Sequence, residues 1–350
     1  MMTRRDFLQA LISSAFFYSC GGGAVTSGNS NESSGGYGQT GTGNDGIILF
    51  GLGDDPYALF TQHREMLEDL KVKILCAWIN GAKKDGRVYT PDRDWIIWWH
   101  ESGFIKEVDQ AGFRFMFITW ENYDFQNPTL GTEPTRGDYH ISDEFLDDMK
   151  LLRDVLRSAN LRNKPYIALA TEYTTYTACR YTADCEEKNM TMNSITFEYF
   201  SELKEKINSA IDLFYDTAYV GLSHGGWMVK GDIKTLQFFD ETIRRGNAIF
   251  FQSMEITPNV NIKQIWDNVM YFRQYNKPIH LAHYMPVNED KKVIIADASM
   301  MNTFYFCELK RNNLRSFSFM RYHLLEDRDV YNAVKSIGEV CSYAEKCQNP

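Results

Sequence analysis

A (β/α)8 barrel is the fold that this sequence predicts for residues 47–350, and three observations carry the prediction. From residue 47 onward, short apolar runs alternate with amphipathic stretches, a pattern that implies parallel strands joined by right-handed crossovers. About eight such units fit into about 300 residues, which matches that barrel in number and length. The competing open, doubly wound sheet calls for a glycine-rich phosphate turn after its first strand. Here that place holds Gly51-Leu52-Gly53-Asp54-Asp55, whose acids suit phosphate poorly. Of 350 residues, 44% are hydrophobic and 24% charged, so the chain can bury a large core.

The elements follow in order. Ile47–Leu52 is the first apolar run, and Tyr57–Leu70 has the spacing of a one-sided helix. Asp54 and Asp55 stand just before that helix, where an Asp caps the free backbone N–H groups; the same two acids could instead face a ligand. Val72–Ile79 is the second strand, and Trp95, Trp98 and Trp99 fall on a loop-helix segment as packing residues. Phe113–Trp120, Tyr166–Ala170, Tyr219–Leu222, Ala248–Phe251, Ile279–Ala282 and Phe317–Met320 complete the strands. Asp143–Ala159, Thr196–Tyr215, Ile233–Arg245, Ile262–Tyr275 and Val293–Lys310 are the intervening helices.

Residues 1–20 are a targeting segment and lie outside the fold. Thr3-Arg4-Arg5-Asp6-Phe7-Leu8 resembles a twin-arginine export motif, and the apolar stretch from Ala10 to Tyr18 follows it. Phe17-Tyr18-Ser19-Cys20-Gly21 looks like a lipoprotein cleavage box, which implies a lipid on Cys20. Residues 21–46 are almost all Gly, Ser, Thr and Asn, the composition of a flexible tether. No other stretch is long and apolar enough to span a bilayer. The expected place is the periplasm or the cell surface.

The seven cysteines suit an oxidising space. Beyond Cys20, Cys179 and Cys185 are close in a polar loop and Cys341 and Cys347 are close at the C-terminus, so each pair is expected as a local disulfide. Cys76, in an apolar strand, and Cys307, in an apolar helix, are expected as buried thiols. The spacings do not suit zinc, and no metal or cofactor is expected. A net charge of −9 with both signs interspersed, and no Lys/Arg-rich block, excludes nucleic acid as the main partner.

In such barrels the active site lies at the C-terminal ends of the strands. Those ends carry Asp54 and Asp55; Trp78 and Asn80; Trp120 and Glu121; Glu172 and Tyr173; His224 and Trp227; Glu255; His283 and Tyr284; and Arg321. Strand parity places Ala168 and Ala170 on the interior face and Glu172 in the mouth. A carboxylate after so apolar a run is costly unless something uses it or pairs with it. Arg321 and Arg180 are the candidate partners if its role is structural. Carboxyl pairs for acid/base chemistry, aromatic faces for stacking on sugar C–H surfaces, and Asn, His and Arg for hydroxyls are the mixture a sugar site needs.

On these residues the chain resembles the large superfamily of (β/α)8-barrel glycoside hydrolases, which often carry a catalytic Glu after strand four. The resemblance spans about residues 47–340 in architecture and rests on one short motif, Ala170-Thr171-Glu172. It departs from the superfamily where Thr171 replaces the Asn that often precedes the acid. Strand seven also ends in His283-Tyr284-Met285, without the nucleophile Glu of many members. The resemblance implies Glu172 as general acid/base, with Glu255 on strand six as its partner and Glu121 in reserve. Strict alternation would turn Phe251 and Ser253 inward and Gln252 toward the helices, and a bulge is the alternative at this strand end. No Gly-x-Ser-x-Gly elbow and no His-x-His pair on strand one compete with this reading. The loop 173–195 is long enough to wall a groove.

The sequence thus points to an exported, lipid-anchored, monomeric single-domain hydrolase of a poly- or oligosaccharide. The alternative is a non-catalytic barrel that binds polysaccharide or helps assemble the envelope.

Overall fold

A computed structural model describes residues 47–79, 83–84, 87–88, 93–119, 144–171, 194–286, 288–343 and 347. Residues 1–46, with the expected signal peptide, tether and Cys20, and Cys179, Cys185, Asn80, Trp120, Glu121, Glu172 and Tyr173 lie outside the described residues.

Eight parallel strands close into a barrel: β1 (Leu49–Leu52), β2 (Val72–Ile79), β3 (Arg114–Thr119), β4 (Tyr166–Leu169), β5 (Tyr219–His224), β6 (Ile249–Ser253), β7 (Ile279–Tyr284) and β8 (Leu314–Phe319). Each strand pairs with its sequence neighbours, and β1 pairs with β8 through Leu49↔Ser316 to Leu52↔Phe319. This is the (β/α)8 fold expected from the alternation.

The helices outside the barrel break more often than their periodicity suggests. The expected helix 57–70 is two, α1 (Pro56–Gln62) and α2 (Arg64–Asp69), turning at His63. Asp55 accepts a hydrogen bond from Ala58 N at 2.9 Å, and Pro56 fills the first helical position, where its missing N–H costs nothing. Then come α3 (Arg93–Glu101), α4 (Phe104–Gln110), α5 (Glu144–Ala159), α6 (Ser194–Phe214) and α7 (Met228–Gly231). The expected helix 233–245 divides at Phe239 into α8 (Ile233–Phe238) and α9 (Asp240–Arg245). After α10 (Val260–Phe272), the expected helix 293–310 also divides, into α11 (Lys291–Met300) and α12 (Thr303–Arg311). Asn302 starts α12 by accepting from Tyr305 N at 3.0 Å, so its side chain offers the backbone an alternative to one continuous helix. A last helix, α13 (Arg328–Tyr343), packs by Val330, Val334, Ile337 and Cys341 and fastens to the first strand through Ile48 N and Cys341 O.

The cysteine pairing differs from the expected one. Cys347 is joined to Cys307 of α12, with Cα atoms 5.5 Å apart, and Cys341 is a buried free thiol. Cys341 lies on the core-facing stripe of α13, which takes its sulfur away from the chain end, whereas Cys347 lies beyond the helix and meets α12. Burial holds the Cys341 thiol well above its ordinary value. Cys76 is a buried thiol as expected, pushed up to about 12 by the same cause.

The barrel interior fills in layers. At the N-terminal end, Tyr166 lies 4.6 Å from His280 across the barrel, Phe250 lies 5.1 Å from His280, and Ser316 Oγ is 2.9 Å from His280 Nδ1. Arg114 donates to the Tyr166 hydroxyl at 3.1 Å. Above them, Ser318 reaches across to Met116 Sδ at 3.8 Å. Gly53 leaves room for β8: a Cβ there would stand 2.6 Å from Met320 Cε and 3.1 Å from Cys76 Cβ.

Candidate functional site

The mouth of the barrel is built from residues two apart along each strand, starting from the packed layers below it. On β2, Cys76 faces the interior toward Ser318 and Met320, so Trp78 faces it too. On β5, Tyr219 stacks on Tyr166 inside the barrel, so Ser223 also points inward. His224 therefore turns outward, and its ring stacks on Phe272 of α10 at 4.7 Å. This corrects its expected place in the mouth.

The sixth strand reverses the expected parity. Phe250 is inside against His280, and Ser253 is outside, 2.8 Å from Asn261 and 2.9 Å from Gln264 of α10. Gln252 therefore points into the barrel. The bulge lies in β7, not β6. Phe251 pairs with Leu281 and Gln252 with His283, while Phe317 pairs with Leu281 and Phe319 with Tyr284. The extra residue lets both His280 and His283 face inward although they are three apart. Tyr284 then faces outward and donates to Asp297 of α11 at 2.9 Å, which removes it from the mouth where it was expected.

These strands bring Trp78, Ser223, Gln252 and His283 to the interior of the C-terminal half. The Trp78 and His283 rings are 5.5 Å apart. Ser223 and Gln252 are fully buried and His283 is 4% exposed, yet Ser223 Oγ, both amide atoms of Gln252, His283 Nδ1 and Trp78 Nε1 have no hydrogen-bond partner among the described residues. Burial first, then the Arg321 charge, lowers His283 to about 3, so the ring is neutral near pH 7. Such a ring offers one donor and one acceptor without charge.

Above this layer sits Arg321, in a left-handed conformation with φ 70°. Its guanidinium carbon is 4.7 Å from the centre of the Trp78 ring. Nη1 donates to Asp54 Oδ2 at 2.6 Å, and Nε lies 3.1 Å from Glu289 Oε1. The other Glu289 oxygen is 3.3 Å from His323 Nε2. Asp54 and Arg321 were expected at the rim but not as a pair, and Asp55 is occupied as the cap of α1. Glu289 was not foreseen. It lies in the turn after β7, past the strand end, and only its proximity in sequence to the seventh strand could have flagged it.

Glu255 is half-buried just beyond β6 and accepts from Gln264 Nε2 at 2.6 Å. Asn261 holds its backbone on both sides, accepting from Glu255 N at 2.8 Å and donating to Glu255 O at 3.1 Å. Asn261 is itself fixed by donating to Asp297 Oδ2 at 2.9 Å. Burial, opposed by the hydrogen bonds from Asn261, Asn259 and Tyr284, raises the Asp297 carboxyl above its ordinary value. Trp227 is half-buried over Gly225, where a Cβ would be 2.4 Å from its ring.

Glu172 and Glu121 lie outside the described residues, as do Asn80, Trp120 and Tyr173. The strand leading to Glu172 is described as far as Thr171, whose N–H donates to Thr119 O at 2.8 Å. Ala170 has φ 51°, so the alternation that placed Glu172 in the mouth does not run on unbroken beyond Leu169. Among the described residues, no three His, Cys, Asp or Glu side chains gather as a metal site.

No protein-family model and no curated protein matches this chain. Among solved structures, it is similar to a GH53 catalytic domain from Ignisphaera aggregans, with TM-score 0.51 and 11% identity over 79% of this chain and 85% of that one. It is likewise similar to a GH26 beta-mannanase from Bacteroides ovatus, with TM-score 0.52 and 13% identity over 84% and 88%. At such identities the shared property is the barrel fold.

Proposed function

We propose that this chain is an exported, lipid-anchored glycoside hydrolase whose barrel mouth takes a poly- or oligosaccharide. One observation carries the reading. Ser223, Gln252 and His283 carry buried, uncharged polar atoms that have no hydrogen-bond partner among the described residues, beneath Trp78 and Arg321. Buried polar groups of this kind are costly unless a partner meets them. A ligand rich in hydroxyl groups, with an apolar ring face for the indole, matches that lining. The fold likeness to a GH26 beta-mannanase and a GH53 catalytic domain supports the same class.

In this reading Glu172 is the general acid/base and Glu255 its nucleophile or base, with Glu121 in reserve. Trp78, His283 and Arg321 read the sugar, and Asn80, Trp120, Tyr173 and Trp227 extend the groove. Gln264 holds the Glu255 carboxylate and Asn261 its backbone, on the α10 side of the strand end that Ser253 also faces. Twin-arginine export and a lipid on Cys20 would place the domain in the periplasm or at the cell surface; Cys20→Ala is expected to release it from membranes.

The test is reducing-sugar release by the purified protein from mannan, galactan, xylan and β-glucans, the wild type beside Glu172→Gln and Glu255→Gln. Each variant is expected to melt near the wild type and to lose about 10²–10⁴-fold in turnover. Lowered melting with full activity would make the residue scaffold, and binding without cleavage by the wild type would make the barrel a binding module.

A further inference from the structure

We infer that the barrel mouth accepts uncharged glycans and turns away uronate-bearing ones, because Arg321 is already shared between Asp54 and Glu289. The inference rests on the glycan reading above and narrows its substrate class.

An arginine at a sugar site ordinarily invites a carboxylate, since its fork matches one bidentately. Here the fork is engaged on two sides. Nη1 holds Asp54 at 2.6 Å and Nε faces Glu289 at 3.1 Å, from the ends of β1 and the turn after β7. Two carboxylates against one guanidinium leave an excess negative charge over the entrance. Burial first, then the charges of Asp55, Asp54 and Glu326, raises the Tyr322 hydroxyl above its ordinary value. A uronate carboxylate would have to displace one of the acids or lie beside them, and like charges brought together at a partly desolvated site repel strongly.

A hydroxyl meets no such barrier. Arg321 Nη2 makes no hydrogen bond to a described residue and can donate to it. Directly below, His283 Nδ1 and the Gln252 amide are buried, uncharged and unpartnered. The stack of Arg321 on Trp78 at 4.7 Å, and of Trp78 toward His283 at 5.5 Å, runs from the entrance to that layer. From top to bottom the described lining therefore offers partners for hydroxyls and ring faces beneath an entrance that carries a net negative charge.

The experiment is binding of the full chain to neutral glucomannan, galactan and xylan, and to polygalacturonate and alginate, at pH 8 and low salt. Wild type is expected to bind at least one neutral glycan about tenfold or more tightly than either polyuronate. Glu289→Gln and Asp54→Asn, each checked by its melting curve, are each expected to narrow that gap about tenfold. Screening by 1 M salt is expected to narrow it in the wild type. Wild-type binding of a polyuronate as tight as of any neutral glycan would overturn the inference and leave the glycan reading standing. A gap unchanged in both variants would also overturn it. Failure of the wild type to bind any of these glycans would remove the glycan reading and this inference together.

Discussion

The buried amide of Gln252 is expected to cost the fold stability while nothing meets it. It is fully buried, and neither amide atom has a hydrogen-bond partner among the described residues. Leaving such groups without partners costs about 1–3 kcal/mol each. A side chain of nearly the same volume without polar atoms should therefore suit the empty barrel better. Gln252→Leu is expected to raise stability by about 1–2 kcal/mol and to abolish glycan binding. Denaturant melts and glycan affinity of the same preparation check both halves; a less stable Leu variant would mean that the amide serves the scaffold. Trp78 and Arg321 were legible as strand-end residues because aromatic and charged side chains ending apolar runs stand out. Their mutual contact was not legible, since it joins residues 243 positions apart in sequence (321 − 78 = 243).

At the scale of elements, the apolar rhythm carried the strands, because each buried strand must be apolar whatever its neighbours do. What it could not carry was the residue-level phase. One extra residue in β7 sends His283 inward and Tyr284 outward, and nothing in Ile279–Tyr284 marks it before the pairing with β6 and β8 is known. Helix breaks at His63, Phe239 and Asn302 were similarly invisible to a periodicity that continues across them. Spacing alone also misassigned the disulfide: proximity in sequence favoured Cys341 for Cys347, while the amphipathic stripe of α13 buries Cys341 and leaves Cys307 as the partner. The observed bridge closes a 40-residue separation over α13. Chain-entropy arguments for such a loop give a contribution of about 3–4 kcal/mol. Cys307→Ser is expected to lower stability by that order in the oxidised protein, and the same loss should appear in Cys347→Ser. Cys341→Ser, which leaves the bridge intact, is expected to retain the disulfide by thiol counting. A bridge lost in Cys341→Ser but kept in Cys307→Ser would restore the local pairing.

For the whole molecule, three histidines decide how the barrel meets acid. His224, His280 and His283 are buried on or inside the barrel wall, and each is lowered from 6.5 to about 3, with burial as the first cause. Arg315 and Arg114 add to the effect at His280, and Arg321 at His283. A depressed value means that the unfolded chain takes up a proton that the folded one refuses. The associated stability is therefore complete above about pH 6.5 and falls as the pH drops toward 3, by about 1.4 kcal/mol per pH unit for each histidine. Two buried acids, Asp232 and Asp297, oppose this, because burial raises their carboxyls and the folded state takes protons first. Asp69, Asp212, Asp216, Asp240, Glu241 and Asp327, whose carboxyls are held below their ordinary values by hydrogen bonds and nearby cations, act in the same direction as the histidines, so acidification is expected to lower stability. His280 isolates the effect, since it lies in the packed layer at the opposite end of the barrel from the mouth and, among the described residues, its Nδ1 meets the Ser316 hydroxyl. His280→Gln can keep a bond to that hydroxyl but carries no proton to gain. Wild-type unfolding free energy measured by urea titration between pH 6.5 and 4.5 is expected to fall with pH, and the variant is expected to fall less steeply by about 1.4 kcal/mol per unit. Parallel slopes for the two proteins would show that His280 binds its proton equally in the folded and unfolded chains, and the acid sensitivity would then belong to the carboxylates.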